Sequence, residues 1–230
     1  MASPESFLLD ISKTLIGTFV GAGLAFFVNW TFRQSQKEEE QIKAGYVAMV
    51  ILGRMITAFI SYKEGITKAR ESVLNDSPDA PFYLQIRYTV FDFDEALALD
   101  IPSITFLFDS KNVNLINHLL MAQDAYRNIV HLHKHHTVSM EQFREKIAEF
   151  TDAQRKTVNI KNVQEHLPRH LTSQMEELNK SLIAALTNDE VKLIEAVKAL
   201  KAALNRKFSN RVNIGLSTAL GISFTPNNEP

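Results

Sequence analysis

The chain has 230 residues, a formal net charge of -1 and no cysteine. That length holds one apolar segment plus one domain able to bury a core, and the balanced charge gives no global pull toward nucleic acid or acidic lipid. The absence of thiols excludes disulfides, thiolate metal sites and a cysteine nucleophile.

Residues 14–32, TLIGTFVGAGLAFFVNWTF, run for nineteen positions without an ionisable group. At about 1.5 Å per helical residue they reach roughly the 30 Å of a bilayer's hydrocarbon core, so the stretch reads as a transmembrane helix. The preceding MASPESF has no basic region, and the run ends in Phe26, Phe27 and Trp30. Neither feature suits a cleavable signal peptide. Arg33, Lys37 and Lys43 follow the run, whereas only Lys13, beside Asp10, precedes it. The positive-inside rule then places the N-terminus outside and the long C-terminal part in the cytoplasm, with Trp30 and Phe32 at headgroup level. Gly17, Gly21 and Ala25 recur every fourth residue, with Thr14, Thr18 and Ala22 adjoining. Small residues at this spacing let helix backbones approach closely within lipid. They predict lateral self-association of the anchor, and so a homo-oligomer.

Residues 33–43 read as continued helix beyond the membrane. Ala44 to Tyr62 is again almost wholly apolar. Arg54 near its middle would cost about 2.5–3.5 kcal/mol in a bilayer. Crossing there would also leave Lys63, Lys68 and Arg70 outside. The preferred reading is a buried core helix, with a second membrane span as the alternative. The helix should end near Asn75, before the turn-rich DSPDAP of residues 76–81. Next, Phe82, Leu84, Ile86, Tyr88 and Val90 alternate with Tyr83, Gln85, Arg87 and Thr89, a period of two that predicts an extended segment or strand. Asp92, Asp94, Glu95 and Asp100 read as turn and cap residues, and Pro102 opens a short helical turn through Phe108.

Ser110 to about His136 reads as a long helix, its apolar stripe drawn from Val113, Ile116, Leu119, Leu120, Ile129 and Val130. Ser139 with Gln142 forms a capping box that opens a further helix through Phe143, Ile147 and Phe150. Pro168 suits a first helical position. Met175, Leu178, Leu182 and Leu186 then form one seam. Thr187 with Glu190 makes a second capping box, before a seam of Leu193, Val197, Leu200 and Leu204. These steps of three and four residues are those of antiparallel bundle helices. In the tail, Val212, Ile214, Leu216, Leu220, Ile222 and Phe224 occupy alternate positions, which predicts an extended segment docked beside residues 82–91 or on a neighbouring subunit's edge, with a frayed end as the alternative. The expected fold is mainly α: an N-terminal transmembrane anchor (1–33), an elongated antiparallel helical bundle (34–208) and an extended tail (209–230), with minor extended segments.

FDFD at residues 91–94, FLF at 106–108 and the leucine-rich helix carrying Ala122 and Tyr126 resemble a segment shared by uncharacterised bacterial single-span membrane proteins. The resemblance covers residues 91–128 and implies an anchored helical domain with no known activity. With the charge asymmetry, it makes the bacterial inner membrane the expected location.

Four histidines, His131, His133, His135 and His136, crowd the end of the predicted helix. His131 and His135, four residues apart, share a helix face from which two imidazoles reach one metal ion, although no third ligand stands at a diagnostic distance. The alternative is a solvated helix end whose cations complement the macrodipole. Arg127-Asn128 followed by His133 fits R-N-x4-H and resembles the active-site pattern of HEPN-type ribonucleases. Those are helical-bundle proteins, often toxin or antiphage effectors, whose motif works in pairs across a dimer. The resemblance implies that Arg127 holds the scissile phosphate, His133 moves a proton and Asn128 orients the site, with RNA as the partner. In a straight helix Arg127 and His133 lie about 240° apart, so the motif needs a bend between them. Arg127 as an exposed bundle arginine is the alternative. No glycine-rich phosphate loop, G-x-S-x-G or H-E-x-x-H occurs, and no cofactor is expected. The leading expectation is a non-enzymatic protein held in the lipid bilayer. It would self-associate through its anchor and present a cytoplasmic domain to a protein partner, with membrane opening as one effector role. A membrane-tethered HEPN-like ribonuclease is the alternative.

Overall fold

The computed structural model describes residues 4–87, 89–108, 112–150, 167–209, 212–216 and 222–226. The chain divides into two compact units, Met1–Gly45 and Tyr46–Pro230.

Helix α1 runs without interruption over Pro4–Asp76. Pro4 opens it where a missing N–H costs nothing, and no other proline occurs before Pro78. Pro78 disfavours helical backbone at the residue before it, and the Ser77 amide closes the last turn on the Val73 carbonyl at 2.8 Å. In the first unit every residue from Gly21 to Phe32 is exposed, Phe26 by 74% and Trp30 by 54%. Among the described residues α1 is the helix long and apolar enough to cross a membrane.

Within the second unit the helix behaves differently. Ala48, Met49, Leu52, Met55, Ile56, Phe59, Tyr62 and Ile66 are all buried. They recur at steps of three and four, which puts them on one face. Each fully buried large side chain there contributes about 1.5–3 kcal/mol of transfer free energy. The apolar run 44–62 is thus packed as a core helix would be. Arg54 lies outside that face, where its guanidinium pairs with the Asp94 carboxylate at 2.9 Å.

Helices α2 (Leu115–Phe150) and α3 (Arg169–Lys207) complete the framework. They pack antiparallel: His118 faces Glu195, Asn128 bonds Asp189, and Ser139 meets Gln174. Two expected helix starts are corrected. Ser139 is no N-cap; it is buried within α2, its hydroxyl turned to Gln174 of α3. Thr187 is likewise internal to α3, with its hydroxyl bonded back to the Ile183 carbonyl at 2.9 Å. Such bonding to the carbonyl four residues earlier lets a threonine sit inside a helix, so the box pattern alone does not start one. The two leucine seams therefore belong to one helix. Pro168 does mark its start, as the N-cap. The buried face of α2 also differs from the predicted stripe. Leu115, Leu119, Ala122, Ala125, Tyr126, Ile129 and Phe143 are buried, whereas Val113 and Leu120 are exposed.

The extended segment or strand expected at 82–90 is corrected at its start, where the backbone turns helical. Phe82–Leu84 is a single 3-10 turn, and Pro102–Leu107 is another, as expected from Pro102. Tyr83 joins Met140, Phe143, Leu167 and Met175 in a cluster between α2 and α3. Within this connector Leu84 packs against the same cluster and Ile86 is buried, whereas Val90 is exposed. The tail pairs with itself: β1 (Val212–Leu216) and β2 (Ile222–Pro226) form an antiparallel two-stranded sheet, with Ile214 opposite Phe224.

Candidate functional site

The segment from Phe91 to Leu99 has no regular structure, yet it is tied to two helices. Asp94 holds Arg54 of α1, Glu95 holds Lys134 of α2, and the Tyr126 hydroxyl of α2 donates to the Asp94 carbonyl at 3.2 Å. The Leu99 amide donates to the Gln123 side chain at 2.9 Å. Phe91 and Phe93 lie against Tyr62 at centroid separations of 5.3 and 5.1 Å, and Phe93 also meets Tyr126 at 5.9 Å. Aromatic pairs in this range each add about 0.5–1.5 kcal/mol beyond their buried area. Asp94 and Glu95, which the sequence offers as turn and cap residues, are thus fasteners. The sequence signal available for them was the opposite charge on Arg54 and Lys134, forty and thirty-nine residues away.

His133 of α2 completes this aromatic group. Its Nδ1 lies 3.2 Å from the Tyr62 hydroxyl, and its ring packs edge-on against Tyr62 and Phe93. Burial lowers its pKa, opposed by a hydrogen bond to the Phe91 backbone. A carbonyl on one ring nitrogen and a hydroxyl on the other assign a neutral ring in which Tyr62 donates. Burial also pushes the Tyr62 hydroxyl pKa up, so it remains a donor.

One turn further, His136 is 2% exposed and Asn179 of α3 is fully buried. The Asn179 amide donates to the Phe82 carbonyl at 3.0 Å. Burial lowers the His136 pKa to about 4, with Asn179 opposing the shift and His133 adding to it. His136 Nε2 and Asn179 Oδ1 nevertheless each stop short of a hydrogen bond. Neither His136 nor Asn179 is apolar, and no hydropathy pattern marks either as a core residue.

The R-N-x4-H residues do not converge within one chain. Arg127 is exposed. Asn128 turns to α3, donating to Asp189 at 3.1 Å, while Lys192 binds the other Asp189 oxygen at 2.6 Å. His133 turns to α1 and its nitrogens are engaged as described. Because α2 continues unbroken through all three, the bend that the motif requires is not there.

His131 and His135 do come together. Both are exposed, and their ring centroids are 4.3 Å apart. Among the described residues, no group of three or more His, Cys, Asp or Glu side chains converges on a common point. Of the proposed anchor contacts, Gly17 belongs to α1 but its surroundings are outside the description; Gly21 and Ala25 are exposed. A Cβ added at Gly21 or Gly23 would meet nothing within 4 Å.

No protein-family model, curated relative or solved structure matches the chain.

Proposed function

We propose that this protein is a membrane-anchored, self-associating helical protein that presents a cytoplasmic helical bundle to a protein partner. The observation that carries the reading is the exposed apolar surface of Gly21–Phe32. Leu24, Phe26, Phe27, Val28, Trp30 and Phe32 are each more than half exposed. Contiguous apolar surface of this kind on a soluble protein marks a partner or a membrane. The charge-free length, with Arg33 and Lys37 just beyond it, favours a bilayer entered with the N-terminus outside. Self-association is supported by glycine chemistry. A helix-interior glycine costs about 1 kcal/mol relative to alanine. At Gly21 and Gly23 the open surroundings give no reason within the chain for accepting that cost. Close approach of a second helix would supply one.

Alkaline carbonate washing of membranes from cells making the full chain tests the anchor. The protein stays in the pellet; recovery in the supernatant overturns the reading. Gly21→Ile tests the interface. The added side chain fits the single chain, so a fall in the mass of the detergent-solubilised particle reports packing between chains. An unchanged mass removes Gly21 from the interface.

A further inference from the structure

Four of the five histidines of α2 cluster at positions 131–136, and these four divide by direction. His133 and His136 turn inward to Tyr62 and Asn179, whereas His131 and His135 turn outward. We propose that His131 and His135 form a two-imidazole chelate for a divalent transition-metal ion on the exposed face of α2. The i,i+4 spacing stacks the two side chains one turn apart. Imidazole nitrogens bind Zn²⁺ at about 2.0–2.1 Å, which puts two cis-bound ring centroids about 4.5–5 Å apart. The observed centroids are already 4.3 Å apart, at an interplanar angle of 64°. The centroid separation is thus already close to the chelating one, and side-chain rotation on a helix backbone that fixes both Cα atoms would turn one nitrogen of each ring to a common ion.

Neither ring makes a hydrogen bond to the described residues, so a nitrogen on each is free for a metal. Their exposure means that a bound cation keeps water in its remaining positions. The neighbouring cation Lys134 is neutralised by Glu95. Arg127, one turn toward the N-terminus, opposes binding weakly through water. Two imidazoles and no carboxylate favour Cu²⁺ over Ni²⁺ and Zn²⁺, and disfavour Mg²⁺ and Ca²⁺. With half a coordination sphere from protein, the site is a labile one whose open positions accept water or a donor from another molecule. This inference is independent of the membrane reading.

The test is calorimetric titration of the untagged full chain in detergent with Ni²⁺ and, separately, Mg²⁺. One Ni²⁺ per chain is expected, with no Mg²⁺ heat. His131→Ala and His135→Ala should each weaken Ni²⁺ binding roughly a hundredfold, the usual scale of losing one of two linked contacts. His170→Ala, which leaves the pair intact, should bind as the parent does. Both sites are exposed, so unchanged helical circular dichroism accompanies the loss. Absent Ni²⁺ binding, or equal affinity in the His131→Ala/His135→Ala double variant, overturns the proposal.

Discussion

Among the described residues, His136 gives a specific route by which acid should destabilise this protein. His136 sits between α2 and α3 with a pKa of about 4 against an ordinary 6.5. The folded state therefore holds fewer protons on this group than the unfolded state between those two values. The sign follows from linkage: the contribution is intact above pH 6.5, drains as pH falls toward 4 and is gone below it. Each tenfold step in proton affinity corresponds to about 1.36 kcal/mol, so the gap amounts to about 3 kcal/mol. At 2% exposure, solvent does little to reduce it. His133 shifts in the same direction and adds to the loss. Urea unfolding of the detergent-solubilised chain, followed by circular dichroism from pH 7.5 to 4, gives the total. Carboxylates titrate in the lower part of that range, so the informative quantity is the parent minus His136→Gln. That difference should narrow by about 3 kcal/mol on acidification, in favour of the variant. Imidazole carbon shifts in the parent protein give a second reading that needs no variant. A difference independent of pH, or a His136 midpoint near 6.5, would refute the reasoning.

Three other outcomes follow from the packing. Val138→Pro, at an exposed site in the middle of α2, should cost about 3 kcal/mol or more, because it breaks a continuous helix. Were Ser139 the start of a new helix, the same change would be nearly neutral, so urea midpoints separate the two arrangements. Tyr62→Phe removes the hydroxyl facing His133 and should cost about 1 kcal/mol by the same assay. Arg54→Ala breaks a pair whose side chains are 61% and 42% exposed. The expected cost is no more than about 1 kcal/mol, falling further at high salt.

The long helices were legible because their signals are local and repeated. The apolar face of residues 48–66 and the seams at Met175, Leu182, Leu193 and Leu200 follow directly from three- and four-residue spacing. Helix junctions were not legible. Ser139-Gln142 and Thr187-Glu190 satisfy a capping pattern, yet the same side chains serve equally well inside a helix when a carbonyl or a neighbouring helix takes the hydroxyl. The expectation of an extended segment or strand at 82–90 missed the 3-10 turn at its start for a related reason. Period two needs a sheet partner to become a strand, and here Tyr83 and Phe82 are claimed by α2, α3 and the Arg70 guanidinium, which lies 5.6 Å from the Phe82 ring centroid. At the candidate site, proximity of His131 and His135 was readable from spacing. The inward turn of His133 and His136 depends on Tyr62 and Asn179, each at least forty residues away in sequence, and no local pattern encodes it.

The Phe91–Leu99 segment carries a consequence for how the chain can be cut. Surface connectors ordinarily accept proteolytic nicks and inserted residues. In this one, the Leu99 amide is bound to the buried side chain of Gln123, and its acids and rings grip α1 and α2 at several points. Its amide at Leu99 should exchange with solvent as slowly as those of a core helix, despite the absence of regular structure. A cleavage site or a permuted terminus belongs in the turn at residues 77–81, not here. Severing the chain between Phe91 and Leu99 would loosen the ties that this segment makes to α1 and α2.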